Sequence, residues 1–119
     1  MKGPGKKALE EPTEIELELM KERAGALGRS GWRVERCLKR MEELEREIEE
    51  LKGKGEIGEA NRLIEEFNRL REEARTYLHY LVIHREAVGF RRHPDLERIY
   101  PIPDKRSPIA DGVREDNNP

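Results

Sequence analysis

Residues 41–67 read MEELEREIEELKGKGEIGEANRLIEEF, and the break in the middle of that stretch decides the fold. Ahead of it, Met41, Leu44, Ile48 and Leu51 recur at alternating three- and four-residue steps, which lines them along one face of a helix. Gly53, Gly55 and Gly58 then interrupt the pattern, as glycines do where a helix stops and the chain turns. Behind the break the same periodicity resumes with Ala60, Leu63 and Phe67. Two apolar seams joined by a short glycine turn spell a helix folded back on a helix.

Working outward, both seams are long. Upstream the heptad phase runs through Met20, Leu27 and Val34, with Cys37 beside them; downstream it runs through Leu70, Ala74, Tyr77, Leu81 and Val88. The expected fold is therefore all-α, a long antiparallel helical hairpin resembling a coiled coil. Two such hairpins are expected to pair into a homodimeric four-helix bundle, because a lone pair of helices leaves much of each seam wet. Thr13 and Glu16 have capping-box spacing and mark the start of the first helix. The hairpin is expected over residues 13–93 with its turn near 53–56. Gly25, Gly28 and Gly31 leave two possibilities for the first helix, a continuous rod or a break near Gly28. Residues 1–12 are expected to be a flexible tail, 94–106 a short docked segment carrying Leu96, Ile99 and Tyr100, and 107–119 a disordered tail.

Composition supports a thin helical protein. Charged residues make up 42% of the chain, aromatic residues only 5%, and the net charge is −2, so nothing global favours nucleic acid. A single cysteine, Cys37, excludes an internal disulfide, and its place on the seam suggests a buried thiol in a reducing compartment. No run of eighteen apolar residues and no apolar stretch after the N-terminal lysines is present, so the expectation is a soluble, cytoplasmic protein with no membrane association.

Charge is distributed along the hairpin rather than evenly. Arg29, Arg33, Arg36, Lys39 and Arg40 against Glu35 make a basic waist, joined across the fold by Arg69, Arg71 and Arg75. The tip, residues 41–68, carries ten glutamates against four cations. One reading sets the acidic tip of one copy on the basic waist of another. The rival reading uses Arg33, Arg36, Arg40 and Arg75 with Tyr77 and Tyr80 to hold a phosphate-bearing partner, since arginines neutralise phosphates and aromatics stack on bases. Further down, His84, Arg85, Arg91 and Arg92 form the other candidate anion or partner site.

Catalytic and metal chemistry find little support. His79 and His84 are five residues apart, about 140° around a helix, too far around to share one ion. Thr76, Leu81 and Phe90 stand three residues before the histidines, so the Glu-x-x-His pair of di-iron bundles is missing. His84 falls on the seam and is read as a partly buried histidine that hydrogen-bonds across the bundle. No catalytic residue, metal or cofactor is expected. Residues 54–63 resemble the loop and helix start of helical-hairpin repeats, but with a single copy no function follows. The expected role is a non-enzymatic interaction or scaffold module that self-associates and has an unidentified protein partner, with a small nucleic-acid- or anion-binding protein as the alternative.

Overall fold

The computed structural model describes residues 11–110. Among these the architecture is all-α: α1 spans Glu14–Gly53, α2 spans Ile57–Ala87, and a single turn, α3, spans Leu96–Ile99. Most of the expected N-terminal tail and residues 111–119 of the expected C-terminal tail lie outside the described residues.

α1 begins where its capping residues dictate. The Thr13 hydroxyl accepts from the Glu16 amide at 3.1 Å while the Glu16 carboxylate accepts from the Thr13 amide at 2.9 Å. Two orphan donors are thereby satisfied, in the part of the helix where the dipole also favours Glu14 and Glu16. The helix then runs unbroken through all its glycines to Gly53.

Both long helices end in the same backbone motif. At the hairpin turn the Glu56 amide donates to the Leu51 carbonyl at 2.9 Å and the Gly55 amide to Lys52 at 3.1 Å. Gly55 sits at φ 77°, the left-handed conformation that this bond pattern requires and that a side chain resists. At the end of α2 the Phe90 amide donates to Arg85 and the Gly89 amide to Glu86, with Gly89 at φ 108°. Glycine thus stops each helix by relieving its last carbonyls.

The seam between α1 and α2 is the core. Val34, Cys37, Met41, Leu44 and Ile48 face Ala60, Ile64, Phe67, Ala74 and Leu81, all of them buried. Burying a leucine, isoleucine or phenylalanine side chain contributes about 1.5–3 kcal/mol, so these residues carry most of the hairpin's stability. Ala60 and Ala74 are small enough to let the larger α1 side chains interlock.

The seam departs from a strict heptad in an instructive way. Leu63, Leu70 and Tyr77, expected on the buried face, are only half-buried, whereas Ile64 is 1% exposed and Arg71 and Leu78 are partly covered. The cause is a third element. After α3 the chain runs back along the hairpin toward its tip, over the flank of α2 that bears Asn61, Asn68 and Arg71, and this pulls the buried stripe around the helix.

That third element also goes further than the sequence suggests. Docking was expected to end at residue 106, yet Ile109 packs against the core cluster and both its backbone groups bond to Asn61. Leu96 is buried and Tyr100 half-buried as expected of a docked segment, but Ile99 is 59% exposed and covers nothing. It is the second apolar residue of a one-turn helix that can turn only part of its surface inward.

Candidate interaction site

Folding α1 on α2 leaves a groove on each side of the seam. One is filled by residues 101–110. The other is open, with a volume of about 610 Å³ and a lining that includes Trp32, Arg33, Arg36, Cys37, Leu70 and Tyr77.

The open groove collects the basic waist only in part. The Arg33 guanidinium lies 5.5 Å from the Tyr77 ring centroid, and that of Arg36 lies 4.8 Å from Trp32. Both contacts are of the cation–π kind that holds an arginine flat against an aromatic face. Arg40 shares the groove but is engaged by three carboxylates, Glu43 at 3.2 Å, Glu47 at 3.3 Å and Glu66 at 3.4 Å. Its pKa is pushed up, by the Glu43 hydrogen bond first and by the charges of Glu66 and Glu47 after it. For Arg40, part of the tip-to-waist attraction read from the sequence is met within one chain. Arg75 belongs elsewhere: it bonds Glu72 and lines the opposite flank with Arg71 and Tyr100. Helical geometry explains the separation, because Tyr77 and Arg75 are two positions apart and so point about 160° away from one another.

Cys37 is 6% exposed at the floor of this groove. Burial, and secondarily the Glu73 charge, push its thiol pKa up, while Arg36 opposes them. A thiol held protonated is a packing group rather than a nucleophile.

The remaining candidates divide between two places. His84 Nδ1 meets the buried Ser30 hydroxyl at 2.8 Å, a cross-hairpin bond of the kind expected of it. At the end of α2, Arg85 donates to His93 Nδ1 at 2.9 Å and to the Arg92 carbonyl at 3.3 Å, and its guanidinium lies 4.4 Å from the Phe90 ring. His93 Nδ1 is thus an acceptor, which leaves Nε2 to donate to Glu86 at 3.3 Å. Arg91 stays exposed beside Gly89 and Phe90, and Tyr80 is 45% exposed next to His79. Arg85, Glu86 and His93 thus close the end of α2 and tie down the chain that follows.

Two residues that the sequence reading passed over are Asn61 and Asn68. Each binds one residue of the returning segment through both of that residue's backbone groups. Asn68 donates to the Arg106 carbonyl and accepts from the Arg106 amide, each at 2.9 Å. Asn61 donates to the Ile109 carbonyl at 3.0 Å and accepts from the Ile109 amide at 2.7 Å. The available signal was their spacing: two neutral amides seven apart, in a helix whose other polar residues are mostly charged, lie on one face.

Among the described residues no group of three histidine, cysteine or acidic side chains could hold a metal ion, and no helix is long and apolar enough to cross a membrane. Compared with known proteins, the chain finds no significant match to a family model, a curated protein or a solved structure, so its function is argued from its own geometry.

Proposed function

We propose that this chain is a non-enzymatic protein–protein interaction module that self-associates through the open end of its hairpin. The observation that carries this is where apolar surface stays exposed. Residues 14–24 of α1 are exposed all around, because α1 runs about 16 Å beyond the first residues that α2 covers. Ile15, Leu17, Leu19 and Met20 stand on that overhang, with exposures of 44–70%. Tyr80, Ile83, Val88 and Phe90 are exposed at the same end on the α2 side; among the described residues, only Trp32 and Ile99 are large exposed apolar groups elsewhere. Concentrated apolar surface of this sort marks an interface.

Charge supports a second copy as the occupant. Glu14, Glu16, Glu18 and Glu22 outnumber Lys21 and Arg23 on the overhang, whereas Arg85, Arg91 and Arg92 outnumber Glu86 at the end of α2. Two copies meeting end to end about a two-fold axis set each acidic overhang beside the other's basic end and continue both seams. A reducing, cytoplasmic setting suits the single buried thiol.

Sedimentation velocity tests the proposal. The full chain is expected to be a dimer at micromolar concentration, and Leu19→Glu with Met20→Glu should yield a monomer of unchanged helix content, since both side chains are exposed. A wild-type monomer at that concentration would overturn it.

A second reading draws on Arg33 and Arg36 lying against aromatic rings in the open groove, an arrangement suited to a phosphate-bearing partner. Arg33→Glu with Arg36→Glu separates the two: loss of a steeply salt-dependent nucleic-acid affinity with the dimer intact would favour this reading.

A further inference from the structure

The filled groove is assembled as a receptor for an extended peptide rather than as part of the core. Three carbonyls of the returning segment face α2, each taken by a side chain: Pro103 by Arg71 Nε at 2.8 Å, Arg106 by Asn68, and Ile109 by Asn61. They recur every third residue. A polyproline II strand repeats every three residues with a rise of about 3.1 Å, and in that conformation residues 106 and 109 would lie about 9 Å apart. Asn61 and Asn68 are two helical turns apart, about 10.5 Å. The two spacings match closely enough for both amides to grip the strand at once. Pro101, Pro103 and Pro108 favour that strand, and none falls at 106 or 109, where the amide hydrogens are used.

Four of its side chains, those of Ile102, Pro103, Arg106 and Ile109, are half-buried, and the last two make the most specific contacts. Arg106 reaches Glu49 at 3.2 Å and Glu45 at 3.5 Å and lies 5.8 Å from the Phe67 ring centroid. Ile109 rests against the buried cluster of Met41, Leu44, Ile48, Ala60, Ile64 and Phe67. No residue from 101 to 110 is fully buried. A segment held through its backbone and a few half-buried side chains, along one flank of the seam, is one that can be replaced.

We infer that this groove is a binding site for extended, proline-containing peptides carrying arginine three residues before an aliphatic residue, and that residues 101–110 occupy it in cis. Asn61 and Asn68 bind the ligand backbone, Glu45 and Glu49 select the arginine, and a partner bearing such a segment displaces the chain's own. The tether gives the cis segment an effective concentration in the millimolar range, so it screens the groove against weak ligands.

The test uses the full chain with Arg106→Glu and Ile109→Asp, which breaks the most specific side-chain contacts of the cis segment, and a fluorescent peptide of sequence PIPDKRSPIA. Fluorescence polarisation should show saturable binding, about tenfold tighter than to the wild type, and adding Asn61→Ala with Asn68→Ala should abolish it. A released chain of native helix content that fails to bind the peptide, or that binds equally well without the asparagines, overturns the inference. Should that variant unfold, a protease site inserted between Tyr100 and Pro101 of the otherwise wild-type chain and cut after folding decides the matter. Exchange of the cut fragment for labelled peptide on a folded hairpin supports the inference, and a fragment that never leaves, or whose departure unfolds the hairpin, overturns it.

Discussion

The two grooves beside the α1–α2 seam are cut from the same pair of helices, yet one holds a strand and the other is open. The filled side presents amides and Arg71 from α2 and carboxylates from α1; the open side presents Leu70 and Tyr77 opposite arginines already laid on aromatic rings or paired with glutamates. The difference teaches that an apolar heptad position does not by itself recruit a cover. Backbone-binding side chains at matched spacing do, because an extended strand must satisfy its amides and carbonyls before it can leave water.

The most damaging substitution removes what both grooves share. Phe67→Ala empties a fully buried site in the seam, and a loss of about 3–5 kcal/mol is expected in a urea or thermal melt. An effect below about 1 kcal/mol would mean that the seam is not the core.

Substitutions confined to one groove should separate the two sides. Asn68→Ala removes a paired hydrogen bond from the filled groove and is expected to cost about 1–2 kcal/mol, with Asn61→Ala similar. Leu63→Gln and Tyr77→Gln, on the side without a strand, should each cost less than Phe67→Ala by a wide margin. Deleting residues 107–119 should lower the melting temperature, since Ile109 is docked; a melting curve equal to that of the full chain would place the docked boundary at 106 after all.

Two glycines three residues apart in α1 sharpen the comparison further. At Gly31 an added Cβ would stand 3.0 Å from the Tyr100 hydroxyl, whereas at Gly28 it would meet nothing within 4 Å. Gly28→Ala should therefore raise stability by up to about 1 kcal/mol through helix propensity alone. Gly31→Ala gains the same propensity but must move Tyr100 away from α1, and its net effect should fall clearly below that of Gly28→Ala. Equal melting temperatures would show that Tyr100 yields freely.

The smallest effect belongs to the open groove. Because folding raises the Cys37 pKa, through burial first and the Glu73 charge second, the folded chain favours the neutral thiol over what the unfolded chain would hold. The associated stability is complete below the ordinary thiol range, about pH 8.5, and declines as pH rises through the higher folded value. Alkylation by iodoacetamide should accordingly be slower than that of a free thiol at pH 8 and still accelerating above pH 9. A rate already at its plateau at pH 8 would mean that the thiol is activated.

Much of this architecture is written in local chemistry. Periodicity of the apolar residues, the Thr13–Glu16 cap and the glycines at 53–58 determine two helices and the turn between them, because caps, turns and helix faces depend on residues within a few positions of one another. Partnership across the chain is another matter. That an added side chain at Gly31 would be crowded reflects Tyr100, almost seventy positions away, lying against it; that Ile64 is buried and Leu63 only half-buried reflects a strand crossing one flank of α2. Asn61 and Asn68 read as surface polar residues until residues 106 and 109 are laid beside them. Only tertiary structure decides such pairings, since the free energy that favours them comes from groups whose proximity no local pattern encodes.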